Sequence, residues 1–199
     1  MDLDLSGADL SGADFSESLF INAKLTGTRL AQADLYRSIA LRADFTGADL
    51  TEACLVRVDL DESALRNAVL DGADLVKASL YGVDASGASC RGTEFMGSTL
   101  IHVNFCGADP SGAIFKNSFK VTLDKETKLE GANGTVFGPT VVTEGQTFRE
   151  LSGAALEEWA RSRGGNLHVI APQGITRQQS AGNSTRLHPR AHHRTQGPR

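Results

Sequence analysis

Long apolar runs are missing from this chain. In 199 residues no stretch of 18 is continuously apolar, so no membrane-spanning helix is expected. The opening Met1-Asp2-Leu3-Asp4 carries neither a basic nor an apolar leader, which points to a cytoplasmic protein. Cysteine is scarce: Cys54, Cys90 and Cys106 do not make a disulfide framework and are read as reduced, ordinary residues. An excess of positive charge is absent too. Twenty Lys and Arg stand against 24 Asp and Glu, a net charge of −4, so general nucleic-acid affinity is not expected. Signatures of catalysis are also wanting: there is no Walker loop, no Gly-x-Gly-x-x-Gly opening a helix after a strand, and no His-Glu-x-x-His. Ser and Asp adjoin so often that their proximity points to no triad. The reading is of a chain that is not an enzyme, with no catalytic residue, cofactor or metal.

What is present is a period of five. Positions 5, 10, 15 and onward to 115 give 23 sites, of which 13 are Leu and six are Phe, with Ala40, Ala85, Cys90 and Pro110 as exceptions. Two residues before nearly every site is a small or β-branched residue, most often Ala. A helix places apolar residues three and four apart and a strand two apart, so neither keeps a five-residue period on one face. The chain must turn a corner within each repeat, so that every central side chain returns to one interior. Gly follows the centre by two at 11 of the 23 repeats, suiting a corner that needs positive φ.

Units such as Ala8-Asp9-Leu10-Ser11-Gly12, Ala43-Asp44-Phe45-Thr46-Gly47 and Ala73-Asp74-Leu75-Val76-Lys77 closely resemble the pentapeptide-repeat family, whose motif is A(D/N)LXX. The resemblance runs from about residue 3 to 118. It implies an all-β solenoid, a right-handed quadrilateral β-helix with four repeats to a 20-residue coil. The central residue and the Ala before it point inward, and the other three positions point out. On that frame the core holds Leu10, Leu25, Leu30, Phe45, Leu50, Leu70, Leu75, Phe95, Phe105 and Phe115. Burying each Leu or Phe contributes roughly 1.5–3 kcal/mol. Nearly six coils stacked at about 4.8 Å make a rod on the order of 28 Å long.

The coil can be tested within the sequence, because residues 20 apart then lie above one another. On the faces through Leu5 and Leu10, only Val69 among 24 outward positions is large and apolar. On the faces through Phe15 and Phe20, 11 of 22 are: Leu19, Ile21, Tyr36, Ile39, Leu41, Val56, Val76, Tyr81, Met96, Ile101 and Ile114. This uneven division gives the rod an apolar side and a polar side. An exposed apolar patch marks a contact surface, occupied by a foreign protein, a second copy or the chain's own C-terminal segment. The first ten of these residues are the candidate interaction face.

The polar side is acidic, with Asp4, Asp44 and Asp84 in one column and Asp9, Asp49 and Asp109 in the next. Some members of the family resemble duplex DNA and bind gyrase, so a topoisomerase is a second partner reading. Duplex DNA carries one charge per about 1.7 Å, so a rod on the order of 28 Å would need roughly 16 negative charges. Residues 1–120 carry 17 acids against 10 bases, a net −7, and Arg29, Arg66 and Arg91 interrupt the polar side. The only His in the repeats, His102, has an outward slot and no Cys partner along its column.

The organisation is a repeat domain over 1–120, a small α+β C-terminal cap over 121–171, and a disordered basic tail over 172–199. Solenoids need capping ends. Repeats starting almost at Met1 imply that the first coil is covered by another chain or that this is a piece of something longer, a scaffold module. In the cap, 135–143 reads as β-rich and Gln146–Arg149 as a short strand. A helix over 153–163 has Ser152 as N-cap, an apolar face from Leu151, Ala155, Leu156 and Trp159, and Glu157 and Glu158 on its solvent side. Gly164-Gly165 ends it, and 166–171 is a last strand. Such a helix plugs the final coil. The tail has five Arg and no acids; its His188, His192 and His193 are an incidental cluster. The function expected is a rigid, non-enzymatic scaffold for protein–protein contact.

Overall fold

The computed structural model describes residues 3–119, 121–137, 139–145 and 147–170. The tail, with His188, His192 and His193, lies outside the described residues. From residue 3 the backbone winds as a right-handed, four-sided β-helix. Single parallel bridges join residues 20 apart, from Asp4 with Lys24 through to Ser89 with Asp109. The N–H of each central residue donates to the coil above: Leu10 to the Arg29 carbonyl at 2.8 Å, and Leu30, Leu50 and Leu70 to Asp49, Val69 and Ser89, each at 2.7 Å. Leu30, Leu50 and Leu70 therefore stand in one row and are at most 1 % exposed. Leu10, at the open end of that row, is only half-buried because no described coil lies beneath it. Size is balanced along the rows: Ala85 lies under Phe105, and Phe95 stacks on Phe115 with centroids 5.2 Å apart.

The corners explain the rest of the motif. Every residue two after a centre, from Gly7 to Gly112, has positive φ: 63–71° where it is Gly and 54–60° where it is not. The turn is closed by a backbone bond such as Ala8 N–H to the Leu5 carbonyl at 3.0 Å, the geometry of a type II turn. Asp before the centre braces it. Asp14 accepts from the Ser16 N–H at 2.9 Å and from its hydroxyl at 2.7 Å. Where Ser79 and Ser89 replace that Asp, the coil below supplies the acceptor. Asp61 takes the Tyr81 N–H at 2.8 Å and Asp71 the Arg91 N–H at 2.9 Å.

The coil lengthens into true strands toward its end. β1 (Glu94–Met96), β3 (Ile114–Phe119), β5 (Asn133–Phe137) and β8 (Asn166–Ile170) form one parallel sheet in that order. On another side, β2 (Val103–Asn104), β4 (Val121–Asp124) and β6 (Thr140–Glu144) run parallel, and β7 (Thr147–Leu151) folds back antiparallel on β6. The hydrogen-bonded stack thus continues from β3 into β5 and from β2 into β4. The one described helix, α1 (Gly153–Arg161), buries Leu156, Trp159 and Ala160. Ala155 instead faces out, because the buried stripe follows the i, i+3, i+4 spacing from Leu156. Ser152 has N-cap backbone geometry, but its hydroxyl makes no capping bond. Glu157 is not a free solvent residue: it accepts the Val169 N–H at 2.8 Å and faces His168 Nδ1 at 3.1 Å, fastening α1 to β8. Leu156 and Leu167 close the interior against Phe105, Phe115, Leu123 and Val136, leaving a void of about 20 Å³. That is too small for a ligand, so the end of the rod offers no binding cavity there.

Candidate interaction face

The positive-φ corner sets which side chains face outward. In each repeat the residue before the centre lies on the flat side, and the two after it, the middle residues of the turn, project at the corner. All ten candidates are surface residues. Leu19 is 64 % exposed, Ile21 44 %, Tyr36 36 %, Ile39 38 % and Tyr81 45 %, while Leu41, Val56, Val76, Met96 and Ile101 are half-buried. Ile114 is half-buried as well.

The structure does not bring them into one sheet of apolar surface. Leu19, Ile21, Ile39 and Leu41 make a compact patch on one side of the first two coils. Tyr36, Val56, Val76 and Met96 make a row along the adjacent side. Tyr81 and Ile101 belong to the patch's side but lie farther along. Asp59 and Asp61 intervene, and Asp61 is committed to the Tyr81 N–H and the Ser79 hydroxyl. Tyr81 meets His102 edge-on, with centroids 5.7 Å apart. Inspection of apolar residues alone misses two further features. One is the sorting of charge beside the Tyr36 row, legible only when columns of one sign are read at a 20-residue interval. The other is Phe148, 74 % exposed on the edge strand β7, for which the sequence gives no periodic signal.

Charge on the polar sides is paired along the rod. Arg29 lies 3.0 Å from Asp9, Arg66 3.3 Å from Asp84, and Arg91 and Lys128 2.8 and 3.3 Å from Asp109. Burial raises the Asp109 carboxyl, but hydrogen bonds from Ser111, Arg91 and Lys128 outweigh it and hold the group at about 2. Burial pushes the thiols of Cys54, Cys90 and Cys106 above their ordinary range, Cys90 furthest, so none is activated as a nucleophile. Among the described residues no group of three or more His, Cys, Asp or Glu side chains is placed to hold a metal ion, and no helix is long and apolar enough to cross a membrane.

A solenoid of stacked four-sided coils around an apolar interior is the class this architecture defines. The family model for pentapeptide repeats matches eight copies over residues 1–35, 29–67, 53–89, 63–100 and 73–109, and the chain belongs to the pentapeptide repeat family. Among curated proteins no sequence matches it. Solved structures do. Rfr23, a pentapeptide repeat protein from the cyanobacterium Cyanothece, is 24 % identical with a TM-score of 0.52, over 62 % of this chain and 89 % of that one. QnrB1, a plasmid-mediated fluoroquinolone resistance protein, is 15 % identical with a TM-score of 0.58, over 83 % and 92 %. HetL, a pentapeptide repeat protein involved in heterocyst differentiation regulation in the cyanobacterium Nostoc, is 28 % identical with a TM-score of 0.36, over 66 % of each chain. At these identities the likeness to Rfr23 and QnrB1 is one of fold.

Proposed function

We propose that the chain is a rigid, non-enzymatic scaffold that presents its apolar sides to another protein chain. One observation carries this reading. Leu19, Ile21 and Ile39 stand more than a third exposed on a backbone whose every coil is bonded to the next, so the patch they form with Leu41 cannot collapse inward. Contiguous apolar surface held open in this way favours association. Replacing Ile39 and Leu41 together with Asp should leave circular dichroism and cooperative melting unchanged, since both side chains lie outside the ladders. The same variant should lose capture of the partner from a lysate of the native host. Unchanged capture would refute the reading.

A second reading, mimicry of duplex DNA on a topoisomerase such as gyrase, draws on the fold shared with QnrB1. The charge pattern favours it less. Lys24 lies 4.0 Å from Asp4 and Arg29 3.0 Å from Asp9, so the acidic columns are partly neutralised within the rod. Gyrase inhibition in a supercoiling assay that survived removal of 172–199 would favour this second reading.

A further inference from the structure

The side of the rod centred on Leu35, Leu55, Leu75 and Phe95 carries three parallel rows. The first is acidic: Asp14, Asp34, Asp74 and Glu94, with Cys54 between Asp34 and Asp74, stacked through parallel bridges. The middle row is Tyr36, Val56, Val76 and Met96. The third, along the corner, is the exposed set Arg37, Arg57 and Lys77. On the polar sides opposite charges meet coil to coil, as Arg29 meets Asp9. Here, from the second coil onward, they are sorted by sign into separate rows, and only Glu17, under Arg37 in the first coil, breaks the order. Arg37 reaches Glu17 at 3.4 Å, but among the described residues Asp34, Asp74, Arg57 and Lys77 have no ion-pair partner within the chain.

We propose that this side docks a second copy of the chain, the two rods lying parallel about a dyad that runs along the rod axis. The reason is symmetry. A dyad parallel to the axis, passing through the middle row, exchanges left and right. It lays the acidic row of one rod over the basic row of the other, and each middle-row side chain meets its own counterpart, an isologous contact. Arg37 then opposes Asp34 of the second copy and Lys77 opposes Asp74, while Arg57 meets the uncharged Cys54 and, in the first coil alone, Glu17 meets Asp14. A dyad in the same plane but across the axis leaves left and right in place and sets acid on acid and base on base, which is repulsive. A foreign partner would need this same order of rows in reverse, and a second copy supplies it. Five coils at about 4.8 Å and one side about 10 Å wide offer only a few hundred Å² per rod. The dimer is therefore weak and concentration-dependent. The proposal rests on reading this side as a contact surface, and it names the occupant.

The test is sedimentation equilibrium of the full chain from about 1 to about 300 μM, a range set by the small interface. A reversible monomer–dimer equilibrium is expected. Lys77→Glu alone and Asp74→Lys alone should each weaken it about tenfold, because each turns two attractive pairs repulsive, and the double exchange should restore it. Orientation is read separately. Ser16 stands in the middle row one coil below Tyr36. In a Cys54→Ser, Cys106→Ser background, Ser16→Cys should cross-link to its own copy on oxidation, as only the parallel arrangement brings those sites together. A chain monomeric throughout, or a dimer indifferent to the charge exchange, would overturn the proposal. If Val56→Asp with Val76→Asp still abolished partner capture in a monomeric chain, the scaffold reading would stand with a foreign partner in place of the second copy.

Discussion

Asp109 shows how a surface residue becomes structural in this fold. Its carboxylate accepts from the Ser111 hydroxyl at 2.6 Å, from both Arg91 Nε and Nη2 at 3.0 and 2.8 Å, and from Lys128 Nζ at 3.3 Å. These donors come from its own corner, the coil before and the coil after. Because the side chain is 12 % exposed, little solvent screens them. The folded-state value of about 2 lies below the ordinary 3.8, so the ionised form stabilises the fold. That contribution is complete above pH 3.8 and is lost as pH falls toward 2. The difference amounts to about 2 kcal/mol. Asp109→Asn should lose roughly that amount at neutral pH and flatten the pH dependence of stability between about 4 and about 2. Urea denaturation at a series of pH values reads both effects, and an unchanged acid limb would show that Asp109 contributes nothing to it.

At the scale of the element, the closing strands depend on one glycine. Gly134 lies in β5 with φ of 126° and pairs with Phe115 of β3. A Cβ there would overlap the Phe115 carbonyl, which is backbone and cannot move aside. Gly134→Ala must therefore separate β5 from β3, and β8 with it. We expect a loss of more than about 3 kcal/mol, the scale of a severe backbone conflict. Hydrogen exchange should rise over 121–170 while protection persists over 20–100. Protection unchanged throughout would refute the constraint. This element also marks the limit of what the sequence made legible. Up to Phe115 the strict interval of five matches the inward Leu and Phe, and every corner from 7 to 112, because each repeat meets the same steric demand. Beyond 116 that demand lapses. The strands at 133–137 and 140–144 were readable only as one β-rich stretch, and nothing marked Gly134 as special. For the helix, propensity placed it but misassigned Ala155, since which stripe is buried depends on where Leu123 and Leu167 lie. On the outer face, apolar residues were legible one by one. Their division by Asp61 was not, because that carboxylate is turned to a backbone N–H one coil away.

For the whole molecule, contacts run only between adjacent coils, so stability is close to a sum of coil and neighbour terms. Position along the rod then governs the cost of an identical change. Leu50 is fully buried with a coil on either side, whereas Leu10 is half-buried with a described coil on one side only. Leu50→Ala should cost about 2–5 kcal/mol, the range for a core truncation. Leu10→Ala should cost less than half as much, and its loss should stay local to the first coil. Leu50→Asp places an unpaired charge in a dry row and should unfold the coils around it, splitting one cooperative transition into two. Denaturation monitored by circular dichroism, with hydrogen exchange to locate the loss, separates these outcomes. Equal costs at positions 10 and 50 would mean that the first coil is covered in solution, its bare edge of amide and carbonyl groups bonded to a further strand. Retained cooperative melting in Leu50→Asp would undo the inward assignment of the central residues, and with it the outward assignment on which both contact surfaces rest.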